Sequence, residues 1–119
     1  MKRDKYSREW SYRIQDILTS IDNVERYTDS MTLAEFRKNQ MAVDAVIRNF
    51  EIIGEASNHI PKSIKLSYPD IMWIEMYGMR NVLVHEYFGV DLDTVWYTIK
   101  NHFPILKAQL NNIKWKTEP

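Results

Sequence analysis

The chain contains no cysteine, which excludes disulfide scaffolds, thiolate metal sites and cysteine nucleophiles together. Glycine and proline are scarce, at 3 and 4, so long helices with few turns are expected. No uninterrupted apolar run approaches the roughly 20 residues that a membrane-spanning helix needs. The opening MKRDKYSREW carries charge but lacks the apolar stretch of a signal peptide. A soluble, cytoplasmic protein with no membrane partner is the expectation. An excess of charge of either sign is also missing, because Lys+Arg and Asp+Glu are 16 each. That balance gives no support to nucleic-acid binding by global charge. Local basic clusters do exist, with Lys2, Arg3, Lys5 and Arg8 near one end and Lys107, Lys114 and Lys116 near the other. Solvated helix ends explain them more simply than a phosphate-binding surface does.

What is present is apolar material in helical rhythm. At 119 residues and 45% apolar content the chain suits a single domain, residues 1–119, with a real core. Ser7 is a candidate cap for a first helix. Trp10, Ile14, Ile17, Leu18, Ile21 and Val24 recur at three- and four-residue steps to about Tyr27. Thr32-Leu33-Ala34-Glu35 has the form of a capping box and predicts a second helical start. That segment is expected to run through Asn39 into a long, buried helix with Ala42, Val46, Phe50, Ile53 and Ala56, ended by Pro61. Gly54 inside it costs about 1 kcal/mol against alanine, which points to a close approach by another element. Lys62 to Tyr68 reads as a connection, and Ser67-Tyr68-Pro69-Asp70 as a fresh helix start. That helix carries Ile71, Ile74, Met79, Val82 and Leu83 and is expected to end near His85. Asp91 or Asp93 opens the last helix, where Pro104 predicts a kink near Lys100. Four to five helices with short connections make an all-α, antiparallel bundle.

The stretch MRNVLVHEY, Met79 to Tyr87, places polar chemistry at the edge of that core. Arg80 offers a planar fork of donors suited to phosphate oxygens. His85 gives or takes a proton near neutral pH. Asn81 lies four residues before His85 and shares its face on an intact helix. Arg80 and His85 are five apart, and at roughly 100° per residue they diverge by about 140° around the axis. They converge if the helix ends or unwinds between them, or if a second copy of the chain supplies part of the site. Such groups suit RNA cleavage without a metal. A base accepts the proton of the 2′-hydroxyl, and a cation stabilises charge on the phosphoryl oxygens. Spacing by itself is explained more simply by a histidine that interacts with the terminal carbonyls of its helix.

The stretch resembles the Arg-x4-6-His motif of the HEPN superfamily. With Tyr87 it takes the Arg-x4-His-x-Tyr form of HepT-like toxins. DAVIRNFEIIGEA from Asp44, YPDIMW from Tyr68, GMRNVLVHEYFGVD from Gly78 and VWYTI from Val95 are similar to the same family, in order, over nearly the whole chain. Met72 stands where the family often has proline. The resemblance implies an all-α, HEPN-like, homodimeric ribonuclease of a type VII toxin–antitoxin module. It needs no metal or cofactor, and its partners are RNA and a minimal nucleotidyltransferase, MntA. It makes Arg80 and His85 catalytic and Asn81 supporting. It makes Tyr87 the acceptor of AMP that silences the toxin, since bulky anionic groups at the cleft repel RNA phosphates. A non-catalytic HEPN partner of a nucleotidyltransferase is the alternative.

The remaining candidates read as structural. Arg48, Glu51 and Glu55 suggest ion pairs along the buried helix, with Glu55, in the family-like IGEA, the candidate to orient Arg80. His59 and His102 lack partners at ligand spacing, so no metal site is expected. Asp91-x-Asp93 lacks the rest of a calcium loop and reads as a cap. Met72, Met76 and Met79 read as core or interface.

Overall fold

The computed structural model describes residues 2–81 and 91–113, with side chains from residue 9 onward. His85 and Tyr87 lie outside the described residues. So do the side chains of Lys2, Arg3, Lys5 and Arg8, and also Lys114 and Lys116. Within the described residues the chain is an all-α bundle. Its helices are α1 (Lys2–Thr28), α2 (Leu33–Lys38), α3 (Gln40–Asn58), α4 (Lys62–Ser67), α5 (Trp73–Gly78), α6 (Leu92–Tyr97) and α7 (Phe103–Asn111). No helix among them is long and apolar enough to cross a membrane.

The three- and four-residue rhythm of α1 buries one face. Trp10, Ile14, Ile17, Ile21 and Val24 are all in the core, and Leu18 packs on its edge. The helix begins at Lys2, so Ser7 is an interior residue and not its cap. At Thr32 the expected capping box is complete. Glu35 N–H donates to the Thr32 hydroxyl at 3.1 Å, and Thr32 N–H donates to the Glu35 carboxylate at 2.8 Å.

Asn39 corrects the expectation of one continuous helix. Its backbone is extended, at φ −104 and ψ 92, and its side chain accepts from Ala42 N–H at 3.0 Å. Asparagine competes for backbone donors in this way and favours caps over helix interiors. It therefore separates α2 from α3.

Helix α3 is the centre of the bundle. Val43, Val46, Ile47, Phe50, Ile53 and Ala56 are buried on it. Phe50 meets Phe103 of α7 with ring centroids 5.4 Å apart, and Trp73 and Met76 of α5 join the same core. Fully burying one such side chain contributes about 1.5–3 kcal/mol. Truncating Phe103, which is completely buried, to alanine is expected to cost about 3–5 kcal/mol.

The connection after α3 also departs from expectation. The helix ends at Asn58, before Pro61, and Pro61 begins a short helix where a plain connection was predicted. The SYPD stretch does not start a helix. Tyr68, which precedes Pro69, adopts φ −129 and ψ 64, because the proline ring disfavours helical geometry in the residue before it. Its carbonyl accepts from the Trp73 indole at 2.9 Å, and the Asp70 carbonyl accepts from the Gln109 amide at 2.7 Å. With those carbonyls engaged by side chains, α5 starts only at Trp73, without a side-chain cap. Met76 on it and Met79 just after it are buried, whereas Ile74 faces outward at 84% exposure.

Asp91 caps α6. Hydrogen bonds from the Thr94 hydroxyl and backbone N–H hold its carboxyl below the usual carboxylate range. Asp93 pairs with Arg37. In place of the expected kink at Pro104, a π-helical turn, Thr98–His102, joins α6 to α7. Pro104 has no N–H for the Lys100 carbonyl and its ring crowds that oxygen. The helix widens, and Phe103 N–H bonds the Thr98 carbonyl five residues back. The wider turn keeps Val95, Ile99, Phe103, Leu106, Leu110 and Ile113 on the buried side. Helices α1 and α7 run antiparallel, pinned by Lys107, whose ammonium lies 2.6 Å from Glu25 and 3.1 Å from Asp22. Those contacts raise the Lys107 pKa above the usual lysine value, Glu25 contributing most. They also engage a lysine that the sequence left open as part of a basic patch.

Candidate active site

Gly54 fixes the geometry of the site. A β-carbon there would overlap Arg80 Cγ, lie 2.7 Å from Arg80 N and 3.1 Å from the Met76 carbonyl. The missing side chain lets the end of α5 rest directly on α3, which is the close approach its cost predicted. The Gly54 carbonyl accepts from the buried Ser57 hydroxyl at 2.8 Å. After α5 the backbone tightens into a 3₁₀ turn over residues 79–81. That turn carries Arg80 and exposed Asn81.

The next residue of α3, Glu55, faces the arginine. Arg80 Nη2 lies 3.6 Å from Glu55 Oε1, with side chains 37% and 49% exposed. At that distance the two attract as ions without a direct hydrogen bond. The Arg80 guanidinium carbon also sits 5.2 Å from the Tyr77 ring centroid, within cation–π range. One carboxylate and one aromatic face therefore restrict the guanidinium while leaving it open to solvent. Arg48 instead pairs with Glu51 at 2.5 Å, the ion pair along α3 that the sequence suggested.

These residues border a groove of about 430 Å³ between α1, α3 and the turn after α5. Arg13 and Asp16 line it from α1, with Arg48, Glu51, Ile52, Glu55 and Ala56 from α3, and Arg80 completes it. Among the described residues three guanidiniums and three carboxylates line it, so the groove is mixed in charge and offers discrete contacts. A hollow of about 470 Å³ elsewhere is lined by Glu25, Arg26, Lys100 and Pro104, among others. Its cations are occupied: Arg26 donates to Asn23 at 3.0 Å, and Lys100 lies over Trp96 at 4.7 Å.

The structure thus brings Arg80 and Glu55 together on one groove, while Asn81 is exposed on the turn beside Arg80 and is not among the residues lining it. His85 and Tyr87 lie outside the described residues. His59 is the C-cap of α3, and His102 meets Tyr97 edge-on at 5.6 Å in the π-helical turn; neither lines the groove. Among the described residues no group of three or more histidines and carboxylates is arranged to hold a metal ion. Sequence reasoning missed Tyr77, Arg13 and Asp16. Tyr77 sits three residues before Arg80, a helical spacing that is readable in principle. Arg13 comes from the opposite end of the chain and has no local signal.

Comparison with known proteins agrees with the motif. Residues 17–113 match the family described as Ribonuclease HepT-like. The Methanocaldococcus jannaschii protein named "Putative RNase MJ0125" is 44% identical over 100 residues, covering 84% of this chain and 86% of its own length. The Thermococcus cleftensis protein named "Probable ribonuclease HepT" is 40% identical over 101 residues, covering 85% and 92%. No solved structure matches. By sequence, the chain belongs to the HepT-like ribonuclease family of the HEPN superfamily.

Proposed function

We propose that this chain is a metal-independent RNA endonuclease, the toxin of a type VII toxin–antitoxin module acting in the cytoplasm. The carrying observation is Arg80, a half-exposed cation at a groove, restricted by Glu55 and Tyr77. Family membership and the ribonuclease names of the relatives support the reading.

In the proposed reaction His85 accepts the proton of an RNA 2′-hydroxyl. The freed oxygen attacks the adjacent phosphorus, and Arg80 stabilises the charge that grows on the phosphoryl oxygens. The bond to the 5′-oxygen breaks as that oxygen takes a proton from the imidazolium, leaving a 2′,3′-cyclic phosphate and a 5′-hydroxyl. Asn81 supports these groups by hydrogen bonding. A two-fold homodimer joins the motifs of both protomers in one cleft, so the divergence of Arg80 and His85 on a straight helix does not separate them. Tyr87 is the control point. Its hydroxyl takes AMP from ATP, with release of pyrophosphate, through an MntA-like nucleotidyltransferase, and the added anion repels RNA.

The test is digestion of RNA with a chelator present. The wild-type protein is expected to cleave, and His85→Ala to lose cleavage by about 10²–10⁴-fold with its fold intact. Equal cleavage by the two proteins would end the proposal. A complex with the nucleotidyltransferase without RNA turnover in any state would identify a non-catalytic partner instead.

A further inference from the structure

We infer that Arg13, on α1, anchors a phosphate of the RNA strand in the groove that Arg80 borders. This rests on the ribonuclease reading above and adds a substrate-positioning residue to it.

The groove's three arginines differ in what already holds them. Arg48 pairs with Glu51 at 2.5 Å, and Arg80 has Glu55 at 3.6 Å and the Tyr77 ring. Arg13 is half-buried on the groove wall and makes no ion pair or ring contact among the described residues. Asp16, three residues further along α1, borders the same groove, yet no ion pair joins the two.

The difference matters for binding an anion. A phosphate arriving at Arg48 or Arg80 competes with a carboxylate already in place. At Arg13 it meets a planar fork that no described carboxylate holds, and whose geometry suits two phosphate oxygens at once. With three cations balanced by three carboxylates among its described residues, the groove gives RNA no net positive charge there, and discrete contacts place the strand. Phosphate contacts fix register and carry no sequence information. Arg13 and Arg80 reach the groove from different elements, α1 and the turn after α5. A strand held by both has its backbone set relative to the group proposed to stabilise the transition state. In-line attack depends on that setting.

The experiment uses the full-length protein and a short fluorescent 2′-O-methyl RNA, which binds but has no 2′-hydroxyl to react. Wild type, Arg13→Ala, Arg13→Lys and Arg26→Ala are titrated by fluorescence polarisation across a salt series. Arg26, outside the groove, is the control. For single strands each phosphate contact contributes about 0.7 to the slope of log affinity against log salt. Arg13→Ala is expected to bind about tenfold more weakly, equally for unrelated sequences, with the slope reduced by about 0.7. Arg13→Lys keeps the charge and should retain the slope, and Arg26→Ala should match wild type. On cleavable RNA, Arg13→Ala should raise KM and also lower kcat, because the strand is no longer set for in-line attack, and Arg13→Lys should recover part of the loss.

Wild-type affinity and slope in Arg13→Ala would overturn the inference. So would an equal loss in the alanine and lysine variants with an unchanged slope, because that pattern marks a packing role. Failure of the wild-type protein to cleave any RNA would strike the ribonuclease reading, while the binding arm, which needs no turnover, still decides whether Arg13 holds a phosphate.

Discussion

Gly54 and Arg80 meet where α3 touches the turn after α5, so closely that a β-carbon on the glycine would come within 2.7 Å of the arginine's backbone nitrogen. The contact is with backbone, and no rotation of a side chain relieves it. The place of the catalytic candidate in the bundle is therefore set by an absent methyl group.

Gly54→Ala tests this through the sign of the stability change. In a helix with free space, alanine in place of glycine stabilises by about 1 kcal/mol. Here overpacking is expected to dominate and destabilise by about 1–3 kcal/mol, with lower RNA cleavage. Thermal unfolding reads the sign. An alanine variant more stable than wild type would mean that the two elements do not press together in solution.

Glu55→Gln separates positioning from stability. The Glu55–Arg80 pair is substantially exposed, and exposed pairs contribute about 1 kcal/mol or less. Unfolding should barely change. Cleavage is expected to fall about tenfold, since small misplacements of a positioning group have large kinetic effects. Full kcat in the glutamine variant would show that the carboxylate does not orient Arg80.

The proposed modification of Tyr87 has a direct readout. Incubation with ATP and the cognate nucleotidyltransferase should add mass in steps of AMP, detected on the intact protein, and RNA cleavage should fall as the mass rises. Tyr87→Phe should stay unmodified and active. Added mass on the phenylalanine variant would place the acceptor elsewhere.

Lys107 predicts an alkaline limit to stability. Its pKa is raised in the folded state by Glu25 and Asp22, so the folded chain holds this proton more tightly than the unfolded chain. The stabilisation is complete below the ordinary lysine value of 10.5 and declines as pH rises through the folded value. Denaturant unfolding at pH 9 and pH 11 should show a larger loss in wild type than in Lys107→Met. Parallel losses would assign the alkaline sensitivity to other groups.

The residues differ in how plainly they announce their places. The stripe from Trp10 to Val24 was legible because its helical spacing is local, and the Thr32–Glu35 capping box and the Asp91 cap because their partners lie within a few residues of chain. Asn39 was misread, since an asparagine in an apolar rhythm is compatible with helix or cap until backbone geometry decides. Pro104 announced a disturbance but not its form. A kink and a widened π-helical turn both accommodate the ring, and keeping Ile99 and Phe103 buried favours the turn.

For the site, the chain by itself determined the chemical inventory: a guanidinium, an amide, an imidazole and a phenol in one short segment, with no cysteine. Local spacing fixes such an inventory because motif residues are near neighbours along the backbone. The sequence also offered Glu55 as the residue to orient Arg80, but only tertiary structure put the two side by side and brought Arg13 to the same groove. The Glu55 and Arg13 contacts join distant parts of the chain, and they exist only because burying the apolar faces of α1, α3 and α5 brings those parts together.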